Sequence, residues 1–157
     1  MSVTICSLAE AEKIHDQFDY VISITDPRVK LPSFGKYHLH VKFQDTADPT
    51  EHQFRSMKTG ASKIYNWATE HGLNHDSKIL VHCHAGISRS SAIAWSLLVM
   101  FGDGYIEAFK KIYMARPQIW PNLILLALMD AKMGQDGEFY QAAQVVDMEL
   151  YNARYGG

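Results

Sequence analysis

The stretch KILVHCHAGISRS, residues 78–90, holds the features that decide the fold. It begins with a run typical of a buried strand, Lys78–Val81, and it ends where a long apolar helix starts at Ser90. Between the two, Ala85 and Gly86 leave the backbone open to close approach by a ligand. Successive backbone N–H groups in such a turn form an anion-binding nest, and the positive end of the helix dipole points into the same space. The stretch therefore predicts a strand, an anion-binding loop and a helix.

A cysteine and an arginine lie inside this anion-binding loop. Cys83 lies at the carboxyl end of the predicted strand, and Arg89 lies just inside the helix that comes next. The nest and the helix dipole would lower the pKa of a thiol held there, into the range of about 3.5–7.5 found for activated cysteines. A planar guanidinium holds two phosphoryl oxygens at once, which an ammonium group does less well. Together the two residues indicate a thiolate nucleophile facing a bound phosphate.

These residues resemble a known catalytic signature. The pattern His-Cys-x-x-Gly-x-x-Arg-Ser, present here as His82, Cys83, Gly86, Arg89 and Ser90, is similar to the signature loop of the cysteine-dependent protein tyrosine phosphatases. The remaining loop residues resemble the dual-specificity branch of that superfamily. An Arg-Pro pair and a Pro-Asn pair downstream of the loop extend the resemblance beyond it.

The resemblance implies a mechanism that needs neither a metal nor an organic cofactor. Cys83 would attack phosphorus and become a cysteinyl phosphate, Arg89 would bind the phosphoryl oxygens, and the Ser90 hydroxyl would bond to the sulfur. His82 would orient the loop by hydrogen bonds rather than transfer protons. The substrate phosphate is expected to bind to the loop residues His84, Ala85, Gly86, Ile87, Ser88 and Arg89.

A metal site is the competing interpretation of the same stretch, because His82, Cys83 and His84 are all of ligand type. In an extended chain, however, both histidines point to the side opposite the cysteine, so one ion cannot collect all three side chains. Neither cysteine of the chain belongs to a Cys-x-x-Cys pair. We therefore expect no metal at this site.

Hydrolysis of a phosphate ester also needs a proton donor for the departing oxygen, and two aspartates compete for that role. Asp48 is followed by a proline and, three residues on, by Glu51, which is the pattern of a helix N-cap. Asp45 follows a strand predicted to end at Phe43 and has no evident local structural function. Its place resembles that of the acid in dual-specificity phosphatases, although it precedes Cys83 by more residues than is usual there. We expect Asp45 to be the acid and retain Asp48 as the alternative.

Composition limits the protein to a few classes. The chain has 157 residues, enough for a single domain predicted over residues 1–157, and its 47% hydrophobic content is enough for a core. A formal net charge of −2 gives no general attraction to nucleic acid or to an anionic membrane, so neither is expected as a partner. No membrane-spanning stretch or signal peptide is evident. Since a thiolate catalyst works only while reduced, we expect a cytoplasmic protein, and we expect it to be a monomer.

Alternating strand and helix patterns predict an α/β fold: a single domain with a central, mainly parallel sheet of about four to five strands flanked by helices. Strand patterns occupy residues 3–5, 20–24, 37–43 and 78–83, and helix patterns occupy residues 7–17, 49–71, 90–101, 104–115, 123–133 and 138–153. His38 and His40 fall on the polar face of their strand, which predicts that both are solvated. Ligands bind beyond the carboxyl ends of such strands, so Cys83 and Asp45 are expected at one edge of the sheet.

Phosphotyrosine in proteins is the expected substrate, with phosphoserine and phosphothreonine hydrolysed more slowly. The loop at 84–88 contains no lysine, whereas the highly charged headgroups of phosphoinositides are generally bound by basic clusters. A basic segment at residues 28–36 could attract anionic substrates, so phosphoinositides and other small phosphomonoesters remain an alternative. A second alternative is a pseudophosphatase, which binds phosphorylated partners without cleaving them, although Cys83 and Arg89 are both present.

Overall fold

The sheet positions every other part of the structure. A computed structural model describes residues 2–156. The strands are β1 (Val3–Cys6), β2 (Tyr20–Thr25), β3 (Tyr37–Lys42) and β4 (Ile79–His82). They are all parallel and lie in the order β1-β4-β2-β3. The predicted α/β fold with a parallel sheet of about four strands is confirmed.

Helices connect the strands and cover both faces of the sheet. Within residues 2–156 they are α1 (Leu8–Ile14), α2 (Glu51–Glu70), α3 (Arg89–Met100), α4 (Tyr105–Ala115), α5 (Leu123–Met133) and α6 (Glu138–Tyr155). A 3₁₀ turn at His15–Gln17 follows α1, so the helix predicted over residues 7–17 is not continuous. None of these helices combines the length and the apolar character needed to cross a bilayer.

The two faces of the sheet carry layers of unequal thickness. Helices α2 to α6 belong to the main core on one face, and α1 covers a smaller core on the other, where Phe34 and Leu80 are buried. Helix α3 is buried along almost its whole length, as its apolar residues on all sides predicted. Because α3 begins at Arg89, this burial fixes the end of the anion-binding loop within the core.

Helix α2 begins later than predicted. Its N-cap is Thr50, whose Oγ1 accepts from the Gln53 amide at 3.1 Å, while the Gln53 side chain accepts from the Thr50 amide at 2.9 Å. The predicted capping role of Asp48 is wrong, because Thr50 and Gln53 offer the same three-residue spacing two positions further along. The amide of Asp48 donates instead to the Thr46 hydroxyl at 3.1 Å.

Helix α2 approaches the end of β3 closely. A Cβ atom added to Gly60 would overlap the ring of Phe43, so the absence of a side chain allows this contact. Phe43 is fully buried, and its amide donates to the Thr25 carbonyl at 2.9 Å. The chain is therefore fixed at the point where it leaves the sheet and enters the segment that carries Asp45.

Candidate active site

The loop after β4 is held in place by its carbonyl oxygens. Five consecutive carbonyls, those of residues 84–88, accept hydrogen bonds from groups outside the loop. The bonds run from the Leu8 amide to His84 (3.1 Å), from Arg116 Nη2 to Ala85 (3.2 Å), from Arg116 Nε to Gly86 (2.7 Å), from the Trp120 amide to Ile87 (2.9 Å) and from the Asn122 amide to Ser88 (3.2 Å). Because the C=O and N–H of a trans peptide bond point in opposite directions, this arrangement turns the N–H groups of the loop inward. They form an anion-binding nest of the predicted kind.

Gly86 is the point where the loop comes nearest to β1. Its φ of +71° lies in the left-handed region, and an added Cβ would meet the carbonyl carbon of Cys6 at 2.6 Å and its oxygen at 2.7 Å. Only glycine satisfies both conditions. The guanidinium of Arg116 spans this glycine and its neighbour, and it also pairs with Glu10 at 3.1 Å. Arg116 therefore braces the loop from its outer side.

The Cys83 thiol faces the inside of the loop and is 3% exposed. Burial raises the pKa of this thiol, but hydrogen bonds from the hydroxyl and amide of Ser90 and from the Gly86 amide lower it, as does the charge of Arg89. These lowering effects outweigh burial, so the pKa lies below its ordinary value. The distance from Cys83 Sγ to Ser90 Oγ is 3.2 Å. The loop therefore stabilises a thiolate.

Cys6 provides a comparison within the same molecule. This second cysteine ends β1 and is 2% exposed, almost the same as Cys83. Burial, together with the charge of Glu10, raises the pKa of the Cys6 thiol to about 12, and the charge of Arg116 offsets only part of the increase. Burial without inward-facing donors thus gives an unreactive thiol. The donors of the loop, rather than the depth of the site, distinguish Cys83.

The Arg89 side chain is buried beneath the loop and held through one nitrogen. Its Nη1 donates to Asp26 Oδ1 at 2.9 Å and to the Phe43 carbonyl at 2.8 Å. Within residues 2–156, Nε and Nη2 of Arg89 donate to no protein group. Every fully buried side-chain nitrogen or oxygen in this part of the chain has a hydrogen-bond partner, so Nε and Nη2 are not fully buried. These two nitrogens are therefore open to a ligand. Asp26 was not predicted, yet its place just after β2 puts it at the same edge of the sheet as Cys83 and Asp45.

Asp45 lies at the rim of the loop. Its Oδ1 accepts hydrogen bonds from Ser88 Oγ and from Asn122 Nδ2, both at 2.8 Å, and neither bond uses Oδ2. The Asn122 side chain also caps α5 by accepting from the Leu125 amide at 3.0 Å. The bond from Asn122 to Asp45 could not be predicted from the sequence, because it joins segments 77 residues apart. The structure brings Asp45 to the loop that holds Cys83.

A chain of hydrogen bonds runs behind the loop across the sheet. The Phe34 amide donates to His38 Nδ1 at 3.0 Å, so His38 must carry its proton on Nε2, which lies 2.7 Å from Ser23 Oγ. The Ser23 hydroxyl is then free to donate to His82 Nε2 at 2.5 Å, which leaves the His82 proton on Nδ1, 3.3 Å from the Cys83 carbonyl. Every bond in this chain has one direction, and both histidines are neutral.

The prediction that His38 and His40 are solvated is wrong. Both rings are half-buried, since the segment before β3 folds over the polar face of the strand and stacks the Phe34 ring on His38 at 5.4 Å. His40 Nε2 lies 2.7 Å from the Thr25 hydroxyl. Burial lowers the pKa of both histidines. Alternation along β3 identified the polar face, but it could not show that a loop covers that face.

A cleft of about 590 Å³ adjoins the loop on the side of Asp45. The residues that line it include apolar side chains, namely Ile87, Trp120, Pro121, Leu123 and Ile124. The Trp120 ring is fixed by a hydrogen bond from its Nε1 to Asp147 at 2.7 Å. The cleft therefore offers an apolar wall to a group attached to a phosphate in the nest.

The remaining predicted residues lie around the opening of the loop. His84, Ala85 and Ile87 are exposed there, Ser88 is half-buried, and His82 is fully buried at the end of β4. In the part of the chain that the structure describes, no group of three or more His, Cys, Asp or Glu side chains is placed to hold a metal ion.

Comparison with known proteins points to one family. A model of the dual specificity phosphatase catalytic domain matches residues 3–132. The curated protein dual specificity protein phosphatase 14 of Mus musculus is 29% identical over 105 residues, which cover 66% of this chain and 50% of that protein. The chain thus spans about half the length of this relative.

Solved structures of similar fold include phosphatases. The crystal structure of human DUSP28 has a TM-score of 0.59 at 19% identity and covers 92% of this chain and 94% of its own. Cydia pomonella PTP-2 phosphatase has a TM-score of 0.57 at 23% identity, with 84% and 86% covered. The human tyrosine phosphatase-like serine/threonine/tyrosine-interacting protein has a TM-score of 0.55 at 18% identity, with 85% and 91% covered. At these identities the likeness concerns the fold.

We predict that the free energy of unfolding falls as the pH is lowered from 6.5 to 4. His82 is fully buried, and burial lowers its pKa from 6.5 to about 4, with the charges of His38 and His40 acting in the same direction and the bond to the Cys83 carbonyl opposing them. In this window the unfolded chain binds a proton that the folded chain does not, so the stabilisation present above pH 6.5 is lost on acidification. For His82 alone the loss amounts to about 3 kcal/mol.

Urea unfolding at a series of pH values measures this loss. Carboxylates also titrate in the acid range, so the His82→Asn variant serves as the reference: its amide can still donate to the Cys83 carbonyl but takes up no proton. The wild-type curve should fall more steeply than the variant's between pH 6.5 and 4. Parallel curves for the two proteins would contradict the buried neutral state of His82.

Proposed function

The chain belongs to the dual specificity phosphatase family, and from that membership we propose that it hydrolyses phosphomonoesters in proteins, phosphotyrosine in particular, through a cysteinyl-phosphate intermediate on Cys83. The observation that carries the proposal is the contrast between two equally buried thiols, of which only Cys83 has a lowered pKa. A phosphate-binding module would need the nest alone. A thiol kept reactive inside the nest favours turnover over simple binding.

In the first step the Cys83 thiolate attacks phosphorus opposite the leaving oxygen. A sulfur–phosphorus bond forms, the phosphorus–oxygen bond breaks, and the departing oxygen takes a proton from Asp45. Asp45 suits this role because its two hydrogen bonds both end on Oδ1. Its Oδ2 is left to hold the proton and to meet the leaving group.

In the second step a water molecule attacks phosphorus and the sulfur–phosphorus bond breaks. The Asp45 carboxylate accepts the proton of the water, which returns Asp45 to its acid form, and Cys83 leaves as a thiolate. Ser90 assists the departure of the sulfur, since its hydroxyl lies 3.2 Å from Sγ and can donate to the developing charge. Inorganic phosphate is the second product.

Arg89 binds the transferring phosphoryl group in both steps. With Nη1 tied to Asp26 and Phe43, its Nε and Nη2 remain for two equatorial oxygens, an arrangement that the planar guanidinium permits. The inward N–H groups of the loop bind the same oxygens, so charge that develops in the transition state meets donors already in place. The site needs no metal or organic cofactor for this chemistry.

Two features support phosphotyrosine over phosphoinositides. The side chains of the loop add no positive charge besides Arg89, which suits a single phosphoryl group. The adjoining cleft presents Trp120 and its apolar neighbours, which suit an aromatic leaving group and the peptide around it better than an inositol with several phosphates. Since the thiolate works only while reduced, we place the activity in the cytoplasm.

We predict that Cys83→Ser abolishes turnover of p-nitrophenyl phosphate in the absence of added metal, while tungstate binding measured by calorimetry persists. The serine hydroxyl is not ionised at neutral pH, whereas the nest and Arg89 are unchanged. Cys6→Ser is the matched control, because it removes an equally buried thiol that takes no part in the reaction, and it should retain most of the turnover per folded molecule. Residual activity near the wild-type rate in Cys83→Ser would exclude the covalent mechanism.

For the general acid, Asp45→Asn is expected to reduce kcat on a phosphotyrosine peptide by about 100- to 10,000-fold. The loss should be much smaller on p-nitrophenyl phosphate, because that leaving group departs without a proton. Asp48→Asn is the control and should reduce kcat only slightly on either substrate. If Asp48→Asn gave the larger loss on the peptide, the acid role would pass to Asp48.

The substrate class can be decided by comparing kcat/KM on a phosphotyrosine peptide, on the matching phosphoserine peptide and on soluble phosphoinositides. The proposal predicts the highest value for phosphotyrosine, because the apolar cleft contacts the aromatic leaving group, and a lower one for phosphoserine. A preference of about tenfold or more for a phosphoinositide, worth about 1.4 kcal/mol in transition-state binding, would assign the enzyme to lipid headgroups instead.

A further inference from the structure

A groove of about 480 Å³ runs along the outer side of β3, and neither Cys83 nor the loop after β4 lines it. One side of it is formed by the last residues of β3, and the other by one face of α2. The residues that line it are His40, Val41, Lys42, His52, Arg55, Ser56, Thr59, Gly60 and Lys63. No acidic side chain of residues 2–156 is among them, although the chain as a whole carries a net charge of −2. We call this surface the edge groove.

The cations of the edge groove lie on both of its sides. Lys42 lies on the polar face of β3, and Arg55 and Lys63 lie on α2, and all three are exposed. The carboxylate of Glu51 pairs with Arg55 at 2.9 Å and neutralises part of the charge on the α2 side. Lys42 and Lys63 thus provide one cation on each side of the groove, and His40 and His52 add hydrogen-bonding groups.

The groove also exposes the backbone of an edge strand. In the sheet order β3 has a neighbour, β2, on one side only. The Tyr37 amide donates to the Asp19 carbonyl, and the Phe43 amide donates to the Thr25 carbonyl. The odd-numbered residues of β3 therefore turn their backbone N–H and C=O groups toward β2. By the alternation of a strand, His40 turns its N–H and C=O outward, as does every even-numbered residue. These groups lie along the wall of the edge groove.

We propose that the edge groove binds an acidic segment of the phosphoprotein substrate, which pairs with β3 as an added strand. The proposal rests on the proposed function, because it concerns the substrate of the same site. An added strand gains main-chain hydrogen bonds from the exposed edge and points successive side chains alternately to the two sides of the groove. Two neighbouring acidic residues would therefore face Lys42 and Lys63, one on each side. A lipid headgroup or a nucleic acid would not use the backbone edge in this way.

The groove leads directly to the catalytic loop. Phe43 follows the end of β3, and its carbonyl accepts the hydrogen bond from Arg89 Nη1. Asp45 lies two residues beyond it. About 10 Å of extended chain separates Lys42 from Asp45. A substrate strand seated beside β3 would thus place its phosphorylated residue at the loop about three to six residues away from the acidic segment.

Charged residues on an edge strand also protect a protein against aggregation. That function explains Lys42 but requires no charge on a neighbouring helix. A bound acidic strand requires in addition a cation on the α2 side of the groove, and Lys63 provides it. The two explanations differ in whether an acidic peptide binds, and this can be measured.

Two phosphotyrosine peptides that differ only in a flanking run of glutamates or of glutamines provide the test. Wild-type enzyme should show a kcat/KM higher by about tenfold on the glutamate peptide, mainly through a lower KM. The double variant Lys42→Glu with Lys63→Glu should lose this preference. Lys58→Glu with Lys110→Glu, two exposed lysines outside the groove, changes the net charge equally and should keep it. All three proteins should hydrolyse p-nitrophenyl phosphate at similar rates.

Backbone pairing has its own measurement. N-methylation of alternate residues in the glutamate run removes the amide donors without changing charge, and it should raise KM to that of the glutamine peptide. The proposal is overturned if both charge-reversed proteins lose the preference alike, or if N-methylation has no effect on KM. It is also overturned if vesicles containing phosphoinositides compete with the glutamate peptide more strongly than the glutamine peptide does. Failure of the proposed function would show differently, as absent turnover of every substrate, and fluorescence anisotropy of an unphosphorylated glutamate peptide would then still test the groove.

Discussion

The outward anchoring of five loop carbonyls is the constraint on which the rest of the site depends. Without partners on the outer side, the peptide groups between Cys83 and Arg89 could turn either way, and the loop would present a mixture of donors and acceptors to a ligand. With all five carbonyls bound, the N–H groups have only the interior to face. The low pKa of the Cys83 thiol follows from that orientation, as the inert Cys6 shows by contrast.

The donors that anchor these carbonyls come from distant parts of the chain. Leu8 belongs to α1, Arg116 directly follows α4, and Trp120 and Asn122 precede α5. The loop is therefore shaped by the packing of the helices around the sheet rather than by its own sequence. If any one of these segments lost its packing, at least one loop carbonyl would lose its hydrogen-bond donor. The chemistry of the site therefore depends on the stability of the whole domain.

Local patterns predicted the parts of the site that are close in the chain. Strand, loop and helix at residues 78–90 place Cys83, Arg89 and Ser90 together because one turn of backbone connects them. Most contacts between distant segments could not be predicted, because the spacing of residues along the chain does not show which loop covers which strand. The pairing of Asp26 with Arg89 and the stacking of Phe34 on His38 are contacts of this kind. The N-cap of α2 was predicted wrongly for another reason. Two capping patterns of the same spacing overlap, one starting at Asp48 and one at Thr50, and tertiary contacts select between them.

The hydrogen-bonded chain behind the loop bears on how this protein can change during evolution. Surface loops usually accept insertions and deletions with little effect. The segment before β3 is different, because the Phe34 amide at its end decides which nitrogen of His38 carries a proton, and through Ser23 and His82 that choice extends to the residue of the nucleophile. We therefore expect a change of length in this loop to disturb the tautomers of His38 and His82, and this constraint does not apply to an ordinary surface loop.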